Sequence, residues 1–354
     1  MFPEAGGGYS FIKRVFSGYL GFLSGWLLWA AYTISAAFYA FGFGAFLSLL
    51  VEEDIWSMAL AIAVLFTALN IVGTKSSSRT QRVIVVGKIL ILILFALLSL
   101  PKIKLNAFEN FFSNGILATL IASSQIFIAF QGYDIISTTS EELKDPRRNL
   151  PKAIILSIII TTTIYIGVVV ALVGLQDYWI GKGLTETAIA VATSEAIGPW
   201  MYMVIIIGAL IATSSALNSA VFAASRVLYA MGRQGDAPRS FSKISRRHGT
   251  PTMSLLGTFI VIAFIILLFG KSEEIIETLG AFSSIVFLLC FALVDLSYIK
   301  LKTTPSKALS FNGGEKLFKA PLFSLTPILG IISSICLLYT SPSPRDLSTS
   351  RMPS

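Results

Sequence analysis

Long apolar stretches alternate with short polar ones along the whole chain. Crossing a hydrocarbon core of about 30 Å takes roughly 20 consecutive apolar residues of helix. Nine stretches approach or meet that requirement, at residues 18–50, 56–73, 83–101, 115–140, 152–175, 200–230, 252–270, 275–299 and 321–339. The pattern predicts an all-α polytopic membrane protein. The connector 176–199 contains an apolar patch, Ala188–Ala192, that predicts a short surface helix. The connector 226–251 is basic and punctuated by Gly and Pro.

Composition agrees with the pattern. Of 354 residues, 55% are hydrophobic and only 13% are charged, against about a quarter charged in a soluble domain. The net charge of +8 would by itself admit a nucleic-acid partner, but its placement argues for topology. One alternating set of loops carries 20 Lys and Arg, from Lys13 and Arg14 through Arg246 and Arg247 to Lys319, and the other set carries four. Excess Lys and Arg mark the cytoplasmic side, which predicts a cytoplasmic N-terminus and no nucleic-acid partner. Cys290, Cys336 and the single His248 offer neither a disulfide framework nor a metal-ligand spacing, so no metal and no cofactor are expected. An intramembrane hydrolase would need a nucleophile with a base, or a metal; His248 sits in a basic loop, and an enzyme is the weakest reading.

Four polar features interrupt the apolar pattern. The span at 115–140 is broken by Gln131-Gly132-Tyr133-Asp134. Irregular backbone is tolerated at membrane depth only where it is buried or lines a cavity. Its freed carbonyls attract a cation, and the resumed half-helix attracts an anion. A transport site answers this pattern; a simple Gly kink with Asp134 hydrogen-bonded inside the bundle also answers it. Lys88, about two turns inside its span, either snorkels to the interface or faces the bundle as a proton carrier. Thr213, Ser214, Ser215, Asn218 and Ser219 either allow close helix packing or line an ion site. Asp295 reads as an interfacial carboxylate, paired or solvated.

These residues resemble the amino acid/polyamine/organocation permeases. Phe2-Pro3-Glu4-Ala5-Gly6-Gly7-Gly8-Tyr9 resembles the motif after that family's second helix, and Gly21-Phe22 with Gly25-Trp26 the start of its third. Phe127 to Asp134, with Glu141-Glu142 and Asp145 to Pro151, resembles its sixth helix and exit loop. Arg226, Tyr229-Ala230-Met231, Gly235, Pro238 and Gly249-Thr250-Pro251 resemble the segment between its eighth and ninth helices. Phe318 to Pro321 and Pro327 to Gly330 resemble the entry to its eleventh. The order and the topology both match.

The resemblance implies a LeuT-type fold of two inverted five-helix repeats. It places residues 1–339 at the family's third to eleventh helices, lacking the first two, and leaves 340–354 as a Ser/Pro-rich disordered or non-native tail. It implies substrate contacts at Phe127, Ile128, Phe130, Gln131, Gly132 and Asp134. The carbonyls near Ile128 and Gln131 would meet the α-amino group, and the aromatic and aliphatic side chains would form a wall. Ala36 and Tyr39 are looser candidates for the side-chain pocket. Lys88 would take part in proton coupling, and Ser214 and Ser215 lie near an ion site of sodium-dependent relatives. The expected partners are a small-molecule amino acid, a proton or sodium ion, and membrane lipid. The expected activity is secondary active amino-acid transport across the cytoplasmic membrane by alternating access, coupled to protons. An amino-acid/polyamine exchanger and a non-transporting truncated membrane fragment are the alternatives.

Overall fold

The computed structural model describes residues 6–16, 18–73, 78–109, 115–138, 145–178, 187–272, 274–303 and 325–340. Twelve α-helices account for most of them: α1 (Gly8–Val15), α2 (Tyr19–Leu47), α3 (Ile55–Val72), α4 (Ser78–Ser99), α5 (Gly115–Ile126), α6 (Ile135–Thr138), α7 (Pro146–Gly174), α8 (Ala188–Ala196), α9 (Pro199–Gln234), α10 (Thr252–Phe269), α11 (Ile275–Thr303) and α12 (Thr326–Thr340). No strand occurs among the described residues. Seven helices (α2, α3, α4, α7, α9, α10 and α11) are long and apolar enough to cross a membrane, and α5 and α12 are shorter apolar helices. The protein is an all-α polytopic membrane protein. The predicted spans coincide with these helices to within a few residues, except that α4 and α7 start earlier, at Ser78 and Pro146, and that 115–140 is divided between α5 and α6. Proline at a first helical position needs no N–H partner and already has helical φ.

The long helices α2 and α9 form the centre and share the most extensive helix–helix contact. Small residues make this possible, as is usual where helices associate without a hydrophobic drive from water. Gly21, Ser24, Gly25, Ala31, Ser35, Ala36 and Ala40 are all buried along α2. At Gly25 a Cβ would come within 2.9 Å of the Tyr9 ring and 3.0 Å of the Met231 side chain, so glycine lets α1, α2 and α9 meet.

Three apolar clusters surround this axis. One joins α2, α3, α9 and α10 through Phe41, Leu217, Val221 and Ile262. A second joins α1, α2, α9 and α11 through Tyr9, Tyr32, Met231 and Phe287. A third joins α4, α7, α8 and α9 through Phe95, Leu175, Met201 and Ile206. Outside the clusters, α4, α7 and α10 expose whole apolar faces, among them Leu90, Leu97, Ile159, Ile166, Phe264 and Leu267. Such area is excessive for a soluble surface and is what a lipid-facing helix presents. The short helix predicted at Ala188–Ala192 forms as α8. Its alanines, however, lie beneath the surface: Ala188, Ala190, Ala192 and Ala196 are buried, and the helix packs along α9.

The FPEAGG stretch up to Ala5, the Glu141-Glu142 pair, Phe318 to Pro321, and the tail beyond Thr340 lie outside the described residues.

Candidate functional site

The span at 115–140 is interrupted at the expected place. Helix α5 ends at Ile126 and tightens into a 3₁₀ turn, Phe127–Phe130. Gln131 is then extended (φ −64°, ψ 142°), and Gly132 adopts φ 121°. That value lies in a region that residues with a Cβ avoid. A Cβ on Gly132 would meet nothing within 4 Å, so conformation, and not space, demands the glycine. The helix resumes at Ile135. Its first N–H bonds to the Gly132 carbonyl at 3.2 Å, and the Gly132 N–H donates to Asp134 Oδ1 at 3.0 Å.

Helix α2 grips the interruption on both sides of Gly132. Tyr32 donates its hydroxyl to the Asp134 carboxylate. One turn further along, Ser35 Oγ donates to Gln131 Oε1 at 2.6 Å. Residues three apart on a helix share a face, so the grip follows from one face of α2. Helix α11 adds a third point: Gln131 Nε2 donates to Ser283 Oγ at 3.1 Å, and the Ser35 and Ser283 hydroxyls lie 2.6 Å apart.

Two cavities flank these contacts. The first, about 320 Å³, is lined by Tyr32, Ser35 and Tyr39 of α2, Lys88 of α4, Gln131 and Gly132, Ile135 and Ile136 of α6, and Ser215, Ala216, Ser219 and Ala220 of α9. Among the described residues, Lys88 is the one formally charged residue in that lining. The second, about 400 Å³, is mostly apolar and includes Phe11, Leu28, Tyr32, Tyr133, Asp134, Ile154, Cys290 and Phe291. Tyr133 and Phe291 stack across it with centroids 5.7 Å apart. Tyr32 lines both cavities.

The predicted site residues are therefore divided. The first cavity brings together Lys88, Gln131, Gly132 and Ser215, with Tyr39 in its wall. Lys88 thus borders a cavity at mid-bundle. Asp134 borders the second cavity. Ser214 lines neither. Phe127 packs edge-on against Phe291 of α11, Phe130 against Tyr165 of α7, and Ile128 is buried; these three line neither cavity and act as wedges that hold the 3₁₀ turn. The Tyr165 hydroxyl also donates to the Ala129 carbonyl at 2.8 Å, which satisfies one of the carbonyls that the turn leaves over. Ala36 sits in the core cluster. Asn218 accepts a 2.7 Å hydrogen bond from Asn70 of α3, which matches the packing reading for that part of the hydroxyl cluster. Asp295 is half-buried against Gly330 of α12, where a Cβ would collide with its carboxylate.

Sequence reasoning missed Tyr32, Ser35 and Ser283. Their one available signal was the i, i+3 spacing of two hydroxyl-bearing residues inside an apolar span.

Residues 1–341 match the profile of a family described as amino acid permease. The amino-acid permease RocE of Bacillus subtilis is 27% identical over 360 residues, covering 96% of this chain and 76% of that protein. The branched-chain amino acid permease BcaP of Lactococcus lactis is 27% identical over 363 residues, covering 95% and 76%. The human large neutral amino acids transporter small subunit 2 is 29% identical over 275 residues, covering 73% of this chain and 51% of that protein.

Proposed function

The chain belongs to the amino acid permease family, and from that premise we propose that it carries neutral amino acids across the cell membrane by alternating access, coupled to protons. The observation that carries this reading is the 320 Å³ cavity, in which the irregular backbone of a broken helix faces a lysine from a different helix.

Each part has a role in the proposal. The Gln131 backbone carbonyl, at the cavity wall, accepts from the substrate ammonium, since irregular backbone supplies acceptors that a continuous helix would use within itself. Lys88 carries the coupling proton. A charged ammonium is costly in a cavity without a counter-ion, so its protonation is tied to whether a substrate carboxylate is present. Ser215 and Ser219 supply further oxygens in the wall. The Tyr32–Asp134 and Ser35–Gln131 bonds hold the interruption to α2 in one state and exchange partners in the other. Neutral substrates fit a lining with one cation and no anion, and relatives are named for branched-chain and large neutral amino acids. The excess of Lys and Arg in one alternating set of loops supports a cytoplasmic N-terminus.

The test is uptake of labelled L-leucine by the whole gene product in proteoliposomes, with and without an acid exterior. Flux above protein-free liposomes, raised by the gradient, is the expected result. Uptake that appears only with internal amino acid would replace symport by exchange. No amino-acid-dependent flux under either condition would remove the transport reading.

A further inference from the structure

We infer that the Gln131 side chain is a specificity-determining group that keeps the first cavity selective for neutral over cationic substrates; this rests on the transport reading above. Gln131 lies in the one stretch of that cavity where a neutral amide is locked from two helices. Ser35 of α2 donates to its Oε1 at 2.6 Å, and its Nε2 donates to Ser283 of α11 at 3.1 Å. Both serines are almost fully buried, at 1% and 0% exposure, so the amide is held by groups that have no water to turn to. Among the described residues, the lining otherwise presents the Lys88 ammonium as its single formal charge. A cationic substrate entering it meets a like charge, while the nearest carboxylate, Asp134, stands behind the wall and is committed to the Tyr32 hydroxyl and the Gly132 N–H, which leaves rejection by repulsion.

The same lock makes the charge exchangeable. Glutamate has the length and shape of glutamine. Both serine hydroxyls can donate, Ser35 to one carboxylate oxygen as it does now and Ser283 to the other by rotating its proton. Gln131→Glu therefore places an anion in the wall of the cavity that Lys88 also lines, in an already fitted site.

Initial rates of L-leucine and L-arginine uptake by the whole gene product in proteoliposomes test this. In the wild type leucine should be preferred. In Gln131→Glu the arginine-to-leucine ratio of kcat/KM should rise at least about tenfold, because differential contacts to the reacting form set selectivity. Ser283→Ala loosens the amide without adding charge. It should raise the leucine KM about fivefold, the worth of one hydrogen bond, and leave the ratio within about twofold. If Gln131→Glu does not elute as a single species, Gln131→Asp carries the same charge and is read the same way. An unchanged ratio in a glutamate variant that still carries leucine overturns the inference and spares the transport reading. A wild type that prefers arginine also overturns it. A wild type that carries neither overturns both.

Discussion

Tyr32 donates its hydroxyl to the Asp134 carboxylate at the boundary between two cavities, and Tyr32 lines both of them. The bond ties the middle of α2 to the start of the resumed half-helix. Tyr32→Phe keeps the ring, which packs edge-on against Phe287, and removes only the donor. Removing the donor from a buried pair leaves the acceptor unsatisfied, at a cost of about 1–3 kcal/mol. The uptake rate should fall by about one to two orders of magnitude, while size-exclusion behaviour stays that of the wild type. Initial-rate measurements in proteoliposomes check this; a rate within twofold of wild type would separate Tyr32 from transport.

Lys88 borders the first cavity together with Ser215, Ser219 and Gln131. A neutral side chain of similar length cannot carry a proton, so Lys88→Met should abolish the stimulation of uptake by an acid exterior. Lys88→Arg should not restore it, because a guanidinium does not release its proton in proteins. Uptake measured with and without the gradient decides. Stimulation that survives in Lys88→Met removes the lysine from coupling.

The spans were legible because a membrane helix announces itself in composition: long Leu, Ile and Val runs have no other stable setting at this length. Gly132 was legible for the same reason in reverse, as a helix-breaking residue two positions before an acid that is costly in lipid. The partners of the interruption were not. Tyr32 and Asp134 are 102 residues apart, Ser35 and Gln131 are 96 apart, and only the rotation of α2 about its own axis decides which of its hydroxyls meet them. The positions of Phe127 and Phe130 were not legible either, because an aromatic beside a break suits a cavity wall or a wedge against α7 and α11 equally well, and composition cannot choose. The amphipathic α1, too short to span, gave no membrane signal.

Gly132 holds φ 121°, and its N–H serves Asp134 Oδ1 at 3.0 Å. Gly132→Ala meets no steric obstacle but pays for an avoided backbone region about 1–3 kcal/mol. The peptide should relax by turning, which releases Asp134 from the Gly132 N–H. Transport should drop at least about tenfold, with a thermal midpoint in detergent lower by a few degrees. A wild-type rate in Gly132→Ala would show that the interruption does not need this conformation.

At the basic end of the bundle, Asp236 follows the left-handed cap of α9 at Gly235 (φ 82°) and binds two residues of α1. Lys13 Nζ lies 2.7 Å from its Oδ1, and the Tyr9 hydroxyl donates to its Oδ2 at 2.7 Å. The Lys13 and Asp236 side chains are only 23% and 10% exposed. The pair therefore lies between a surface ion pair, of about 0–1 kcal/mol, and a buried one whose disruption costs about 3–5. Asp236→Ala should destabilise by about 1–3 kcal/mol, and Tyr9→Phe by about 1. Lys13→Met combined with Asp236→Ala should cost less than the sum of the two single changes, because neither charge is then left alone. Burial, and then the neighbouring carboxylate, hold the Tyr9 hydroxyl well above the usual tyrosine range. A raised folded value stabilises fully below the unfolded value of about 10 and is lost only in stronger alkali. The Tyr9→Phe difference in thermal midpoint should therefore stay constant from about pH 6 to pH 9. A difference that shrinks across that range would show that Tyr9 does not donate to Asp236.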